Sequence, residues 1–172
     1  MRSGKRSIPP TGKVVVGLIA DTHGLIRPAV ARVFAGVDLI IHAGDVGGRA
    51  VLDALSRIAP VEAVYGNVDD PQDPALARER VLTLGGVTVH VSHGHELERL
   101  TPERLLVRYS SDVLIFGHTH RALIVRDVDL ASTARLAVNP GAAGPRRFDL
   151  APSVARLTIV NGCPDVEIIS LA

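Results

Sequence analysis

Tryptophan is absent from this 172-residue chain, aromatic residues make up only 3% of it, and there is one cysteine. With so few aromatics the core must be built from valine, leucine, isoleucine and alanine. A lone Cys163 cannot form an intrachain disulfide, which argues against an oxidised, secreted scaffold. It also makes a thiolate metal site impossible to assemble within one chain. Lysine is nearly missing, Lys5 and Lys13 being the two present, and this arginine bias identifies no partner. A net charge of +1 argues against a strongly electrostatic nucleic-acid or membrane binder. No apolar run reaches the roughly 20 residues that span a bilayer. The basic start contains Pro9-Pro10 and is followed by no signal-peptide pattern, since the run Val14 to Ala20 is short and ends in Asp21. Residues 1–13 therefore read as a flexible tail, residues 14–172 as a single domain, and the protein as cytoplasmic.

What remains is a chain that is 47% hydrophobic and 22% charged, with a mean hydropathy of +0.26, values that fit a folded domain with a sizeable core. Val14 to Ala20 is a continuous apolar, β-branched run, the pattern of a strand buried on both faces, and it stops at Asp21-Thr22-His23-Gly24. Pro28 to Phe34 predicts a short helix with proline in its first turn. The plan repeats: strand Asp38 to Ala43, loop Gly44-Asp45-Val46-Gly47-Gly48, helix Ala50 to Ile58, strand Val61 to Tyr65, loop Gly66-Asn67-Val68-Asp69-Asp70. Repeated strand–loop–helix units imply a parallel sheet, whose ligands gather at the strands' carboxyl ends.

The second half reads differently. Arg80 to Leu84 and Val87 to Ser92 flank Gly85-Gly86, a hairpin signal. Thr101 is placed to cap a helix from Pro102 to Tyr109. Asp112 to Phe116 is another buried strand, ending at Gly117-His118-Thr119-His120. Leu123 to Val128, Ala134 to Asn139, Val154 to Val160 and Asp165 to Ser170 alternate like antiparallel strands. Two mixed sheets packed face to face with helices outside, a four-layer α/β/β/α sandwich, accommodate all of this.

Five of the seven histidines fall in three glycine-containing loops: His23, then His93 and His95, then His118 and His120. Asp21 shares the first loop, and Asp45 and Asn67 end the other two strands. Imidazole, carboxylate and amide donors without thiolate suit Mn, Fe, Co, Ni or Zn. That is too many donors for one tetrahedral ion and suits two ions sharing a carboxylate. Asp45 has two oxygens with which to bridge, while Asn67 offers a neutral one. Gly44 and Gly66 let the backbone turn sharply beside them.

The series Asp21-x-His23, Gly44-Asp45, Gly66-Asn67, His93-Gly94-His95 and Gly117-His118-Thr119-His120 resembles, in order, the five motifs of calcineurin-like metallophosphoesterases, in particular their small bacterial and archaeal phosphodiesterase branch. The resemblance covers residues 14 to about 170. It implies that Asp21, His23, Asp45 and His120 hold a first ion and Asp45, Asn67, His93 and His118 a second. It implies two divalent transition-metal ions, Mn first, with Fe, Ni, Co or Zn accepted by the same donors. The activity implied is phosphodiester hydrolysis of a small phosphate ester, by water activated between ions roughly 3.5–4 Å apart and attacking in line. Larger phosphatases of the family carry Gly-Asn-His-Glu, whose histidine assists the leaving group; here Val68 follows Asn67, as in the small branch.

His95 has three open readings: a support behind the ligands, a phosphate contact or a proton donor. His42 and His90 lie inside strands and read as core histidines. Asn139-Pro140-Gly141 reads as a turn beside the site, and Arg146-Arg147 as a solvated pair. The competing reading is a non-catalytic scaffold, since the family includes a retromer subunit of that kind; a DNA-acting nuclease ranks below both, because the chain lacks a basic aromatic surface. The apolar composition is compatible with a homodimer or larger assembly.

Overall fold

The computed structural model of the chain describes residues 7–8, 12–127 and 134–172. The expected tail lies largely outside the described residues, as does Val128 at the end of its strand. Within the tail, Ser7–Ile8 forms a two-residue strand, β1. Lys13–Ile19 is β2, Pro28–Val33 is α1, Leu39–His42 is β3, Arg49–Ser56 is α2 and Val61–Ala63 is β4. The hairpin is β5 (Glu79–Leu84) and β6 (Val87–Ser92), followed by α3 (Pro102–Arg108) and β7 (Val113–Ile115). Leu123–Asp127, Arg135–Asn139, Ser153–Val160 and Cys163–Ser170 complete the chain as β8, β9, β10 and β11.

The strands make two mixed sheets, ordered β1-β5-β6-β7-β9-β8 and β11-β10-β2-β3-β4. In the second, β2, β3 and β4 are parallel, as the repeated units require, and β10 closes antiparallel on β2. In the first, β6, β7 and β9 are parallel, and β9 pairs antiparallel with β8 as its alternation implied while running parallel to β7. Alternation records which face of a strand is buried and says nothing of its partner's direction.

Three apolar clusters correspond to the three layer interfaces. Val14, Val16, Leu18 and Ala20 of the β2 segment meet Val87, Val89 and Val91 of β6 between the sheets. The other face of β2 gives Ile19, which packs with Phe34, Val51 and Leu55 under α1 and α2. Leu105 and Leu106 of α3 pack on Leu114, Phe116 and Ala137. This is the four-layer sandwich. Burying a leucine or valine completely contributes about 1.5–3 kcal/mol, so these runs supply the stability that aromatics do not.

Local signals hold at the turns. Gly85 and Gly86 sit at φ +56° and +82°, the pair of left-handed positions that a tight hairpin demands. Thr101 accepts the Arg104 backbone N–H at 3.3 Å, capping α3 for about 1 kcal/mol. The third strand stops at Ala63, short of the expected Tyr65, because Val64 makes only an isolated bridge to Ala77.

Candidate metal centre

The carboxyl ends of β2, β3, β4, β6 and β7 converge on one edge of the sandwich, and each is followed by one of the five polar loops. Backbone hydrogen bonds lock the loops to each other. Asp21 N–H donates to the Gly44 carbonyl and His23 N–H to the Asp45 carbonyl, both at 3.0 Å, while Gly117 N–H donates to the His93 carbonyl at 3.1 Å. Across the two sheets, His118 N–H donates to Asp21 Oδ2 at 3.2 Å, and His93 Nδ1 contacts the Ala43 carbonyl at 2.7 Å.

All seven expected donors meet there. His23 Nε2 and His120 Nε2 are 3.3 Å apart, and His120 Nε2 is 3.4 Å from Asp21 Oδ1. Asp45 Oδ2 lies 3.8 Å from His23 Nε2 on one side and 3.4 Å from His93 Nε2 on the other. Asn67 Oδ1 is 3.2 Å from both His93 Nε2 and His118 Nδ1. Donors bound to one ion at ~2.0–2.2 Å stand ~3.0–3.5 Å from each other, so most of these separations suit shared cations. Asp21, His23 and His120 form one compact donor group, and Asp21, Asp45 and His93 another.

Three observations bear on what the donors can hold. Among the described residues, five buried side-chain nitrogen or oxygen atoms lack a hydrogen-bond partner, and Asp21 Oδ1, His95 Nδ1 and His120 Nδ1 are three of them. An orphaned carboxylate oxygen on a fully buried residue is costly unless a cation or proton meets it. Second, the Ala43 carbonyl can only accept, so His93 Nδ1 carries a proton and Nε2 is the atom turned towards Asp45 and Asn67. Third, Asp21, His23, Asp45, His118 and His120 all have left-handed backbones, with φ between 45° and 68°. Such a conformation costs a non-glycine residue roughly 1–2 kcal/mol, and its concentration in the candidate ligands marks a functional site. Gly44, at φ +91°, leaves room for the His93 ring, which a Cβ would meet at 2.6 Å.

The electrostatics follow the burial. Burial pushes the Asp21 carboxyl up to about 7; His93 opposes this and the Asp45 charge adds to it. Burial would also raise Asp45, but its hydrogen bond with His93, the charge on that ring and the Val68 N–H outweigh it and bring Asp45 to about 2. For His93 burial works downward, and the hydrogen bond to Asp45 with the charges of Asp21 and Asp45 raises it instead. His120 falls to about 4 through burial and then the charge of Arg147; burial lowers His23 and His118 too. A proton on Asp21 competes with a cation for the same carboxylate, and the upward shift of His93 adds a second competitor. Metal affinity is expected to weaken as pH falls below about 7, roughly tenfold per pH unit for each proton displaced. Calorimetric Mn²⁺ titrations at pH 6 and pH 8 check this, with proton uptake by the buffer expected at pH 6.

Several residues beyond the expected set shape the site. Asp69 accepts backbone N–H groups from Val46 (3.0 Å), Gly47 (3.0 Å) and Gly66 (2.8 Å), clamping the Asp45 loop to the Asn67 loop. Asn139 Nδ2 donates to the Gly117 carbonyl at 2.9 Å and to Thr119 Oγ1 at 3.0 Å, bracing the loop of His118 and His120. The Asn139-Pro140-Gly141 turn thus supports the site from behind. His42, fully buried, accepts the Gly44 N–H on Nδ1, so Nε2 donates to Thr22 Oγ1 at 2.9 Å, and that hydroxyl donates to the Val46 carbonyl at 2.8 Å. Burial lowers His42 to about 3 and keeps it neutral. His90 stacks on Tyr109 with centroids 3.7 Å apart, away from the donors. His95 stands at the rim, its ring centroid 5.4 Å from that of His93 and 6.5 Å from that of His118.

Residues 14–162 match the calcineurin-like phosphoesterase superfamily domain. The "probable metallophosphoesterase" of Methanothermobacter thermautotrophicus is 35% identical over 165 residues, covering 91% of this chain and 92% of that protein. That of Methanocaldococcus jannaschii is 36% identical over 159 residues, covering 86% and 77%. Among solved structures, vacuolar protein sorting 29 from Cryptosporidium parvum shares the fold with a TM-score of 0.74 at 20% identity, over 94% of this chain and 99% of that one. An archaeal phosphodiesterase does so with a TM-score of 0.72 at 21% identity, over 92% and 100%. On these grounds the chain belongs to the calcineurin-like phosphoesterase superfamily.

Proposed function

We propose that this protein is a phosphodiesterase using two divalent cations, with Asp21, His23, Asp45 and His120 holding one and Asp45, Asn67, His93 and His118 the other. The observation that carries the reading is the place of Asp45 Oδ2, flanked by His23 Nε2 at 3.8 Å and His93 Nε2 at 3.4 Å. A carboxylate so placed is within reach of a histidine of each proposed ion set, His23 of the first and His93 of the second. The carboxylate and amide oxygens of Asp21, Asp45 and Asn67 suit Mn²⁺, and the four imidazoles accept Fe, Co, Ni or Zn as well. Bound there, such a pair supplies Lewis acidity towards phosphoryl oxygens and makes water nucleophilic near neutral pH. The chain's own residues fix donor positions through Asp69, Asn139 and the Ala43 carbonyl, and Asp21 and Asp45 leave a net positive site that attracts a phosphate anion.

The test is reconstitution. Metal-stripped protein is expected to hydrolyse bis-p-nitrophenyl phosphate only after Mn²⁺ is restored; no gain with any divalent transition metal would count against the proposal.

His95 is the group placed to give a proton to the leaving oxygen. Its side chain is 27% exposed, and it stands beside both His93 and His118. His95→Asn is expected to slow alkyl phosphodiesters by about 10²-fold, the range of general acid catalysis. p-Nitrophenyl esters, whose leaving group needs little help, should lose far less. Equal losses on both would remove the donor role.

One observation favours a second reading. Val68, 55% exposed, occupies the place of the leaving-group histidine of larger phosphatases, and a module that binds without hydrolysing needs no such group. Mn²⁺ uptake without cleavage of either ester class would establish it.

A further inference from the structure

Phe148 is 93% exposed, whereas the other two phenylalanines, Phe34 and Phe116, are 0% and 2% exposed. It also has a left-handed backbone, φ 52°. A bulky side chain in that conformation costs roughly 1–2 kcal/mol, and here no burial offsets it. The residue lines a cavity of about 230 Å³ at the mouth of the donor cluster, together with His118, His120, Arg121, Arg147 and Leu150. A second cavity of about 620 Å³ shares His120, Arg121 and Leu150 with the first and continues to Leu123, Pro152 and Ile168. Together they offer the space of a small-molecule site, roughly 300–1,000 Å³.

The segment bearing Phe148 is not a distant appendage. Gly144 N–H donates to the Asp21 carbonyl at 3.2 Å, and Arg27 Nη2 donates to the Gly144 carbonyl at 3.1 Å. Arg147 lies close enough for its charge to bear on Asp21, His23 and His120. Position and chemistry therefore coincide: Arg147 and the exposed Phe148 line one cavity with His118 and His120.

We infer that Arg147 and Phe148 form a substrate subsite, Arg147 pairing with phosphate oxygens and Phe148 selecting the organic half of the ester by stacking on a planar aromatic group, so that the preferred substrate is a phosphodiester carrying a nucleobase. This rests on the phosphoesterase reading above and narrows its substrate. Stacking a base on an aromatic ring is a recurrent source of affinity, and a guanidinium matches phosphate geometry in two-point contact.

The experiment is a calorimetric titration of the Mn²⁺-loaded protein with adenosine 5′-monophosphate and, separately, ribose 5-phosphate. The native protein is expected to bind the nucleotide about tenfold more tightly. Phe148→Ala should bring the ratio close to one, and Phe148→Tyr should restore it. Arg147→Gln should weaken both ligands by a similar factor, because both carry phosphate. A native ratio of one, or a ratio untouched by Phe148→Ala, overturns the stacking role, and unchanged affinities in Arg147→Gln overturn the pairing role. If either result accompanies metal-dependent hydrolysis of bis-p-nitrophenyl phosphate, the subsite alone falls; if neither ligand binds and no hydrolysis occurs, the phosphoesterase reading falls with it.

Discussion

Asp45→Ala is expected to lower kcat/KM on bis-p-nitrophenyl phosphate by on the order of 10³-fold or more, about 4 kcal/mol of transition-state stabilisation. The expectation follows from its position between His23 and His93, one from each proposed ion set, at 3.8 Å and 3.4 Å. Its other oxygen accepts the Val68 N–H at 3.1 Å, so truncation also frees the Asn67 loop. The loss should appear in metal content as well as in rate. Asp45→Asn separates the two contributions, since the amide preserves an oxygen but not the charge that offsets two cations. It should recover the loop and not the activity. Native-like metal content in Asp45→Ala would show that the carboxylate is not shared.

Asp69→Ala is the second large effect, and it touches no expected ligand. The three N–H groups of Val46, Gly47 and Gly66 lose their acceptor together. Hydrogen bonds to a charged acceptor contribute about 1.5–3 kcal/mol each, although bonds within one clamp are not additive. The expected outcome is a 10–100-fold weaker Mn²⁺ affinity, the usual scale for groups that orient metal ligands, together with a lower thermal midpoint in the metal-free protein. Saturating Mn²⁺ should recover most of the rate, which distinguishes an orienting group from a ligand. Full metal affinity in this variant would show that the loops hold themselves in place.

The strand ends were legible because each buried run is apolar and β-branched until it meets a polar residue: Val14 to Ala20 before Asp21, or Asp112 to Phe116 before His118. The family motifs then located the donors, and the structure brings together residues as far apart in the chain as Asp21 and His120. The supporting residues were not legible in the same way. Asp69 has no periodic or compositional mark, since its role consists of three backbone N–H groups that only the folded loops bring within reach. Asn139 is the last residue of β9, at a strand end as the donors are, yet its amide turns to the Gly117 carbonyl and Thr119. The parallel pairing of β9 with β7 was not legible either, and β1 is too short to carry a pattern. The left-handed backbones of five candidate ligands were likewise invisible, because aspartate and histidine reach that region only where surrounding hydrogen bonds impose it.

The central claim is that two cations share Asp45, and counting them tests it most directly. Crystals soaked with Mn²⁺ and phosphate, measured at the manganese absorption edge, are predicted to show two anomalous peaks, one among Asp21, His23 and His120, the other among Asn67, His93 and His118, with the Asp45 carboxylate between them. A single peak, or two that do not both touch Asp45, would contradict the account.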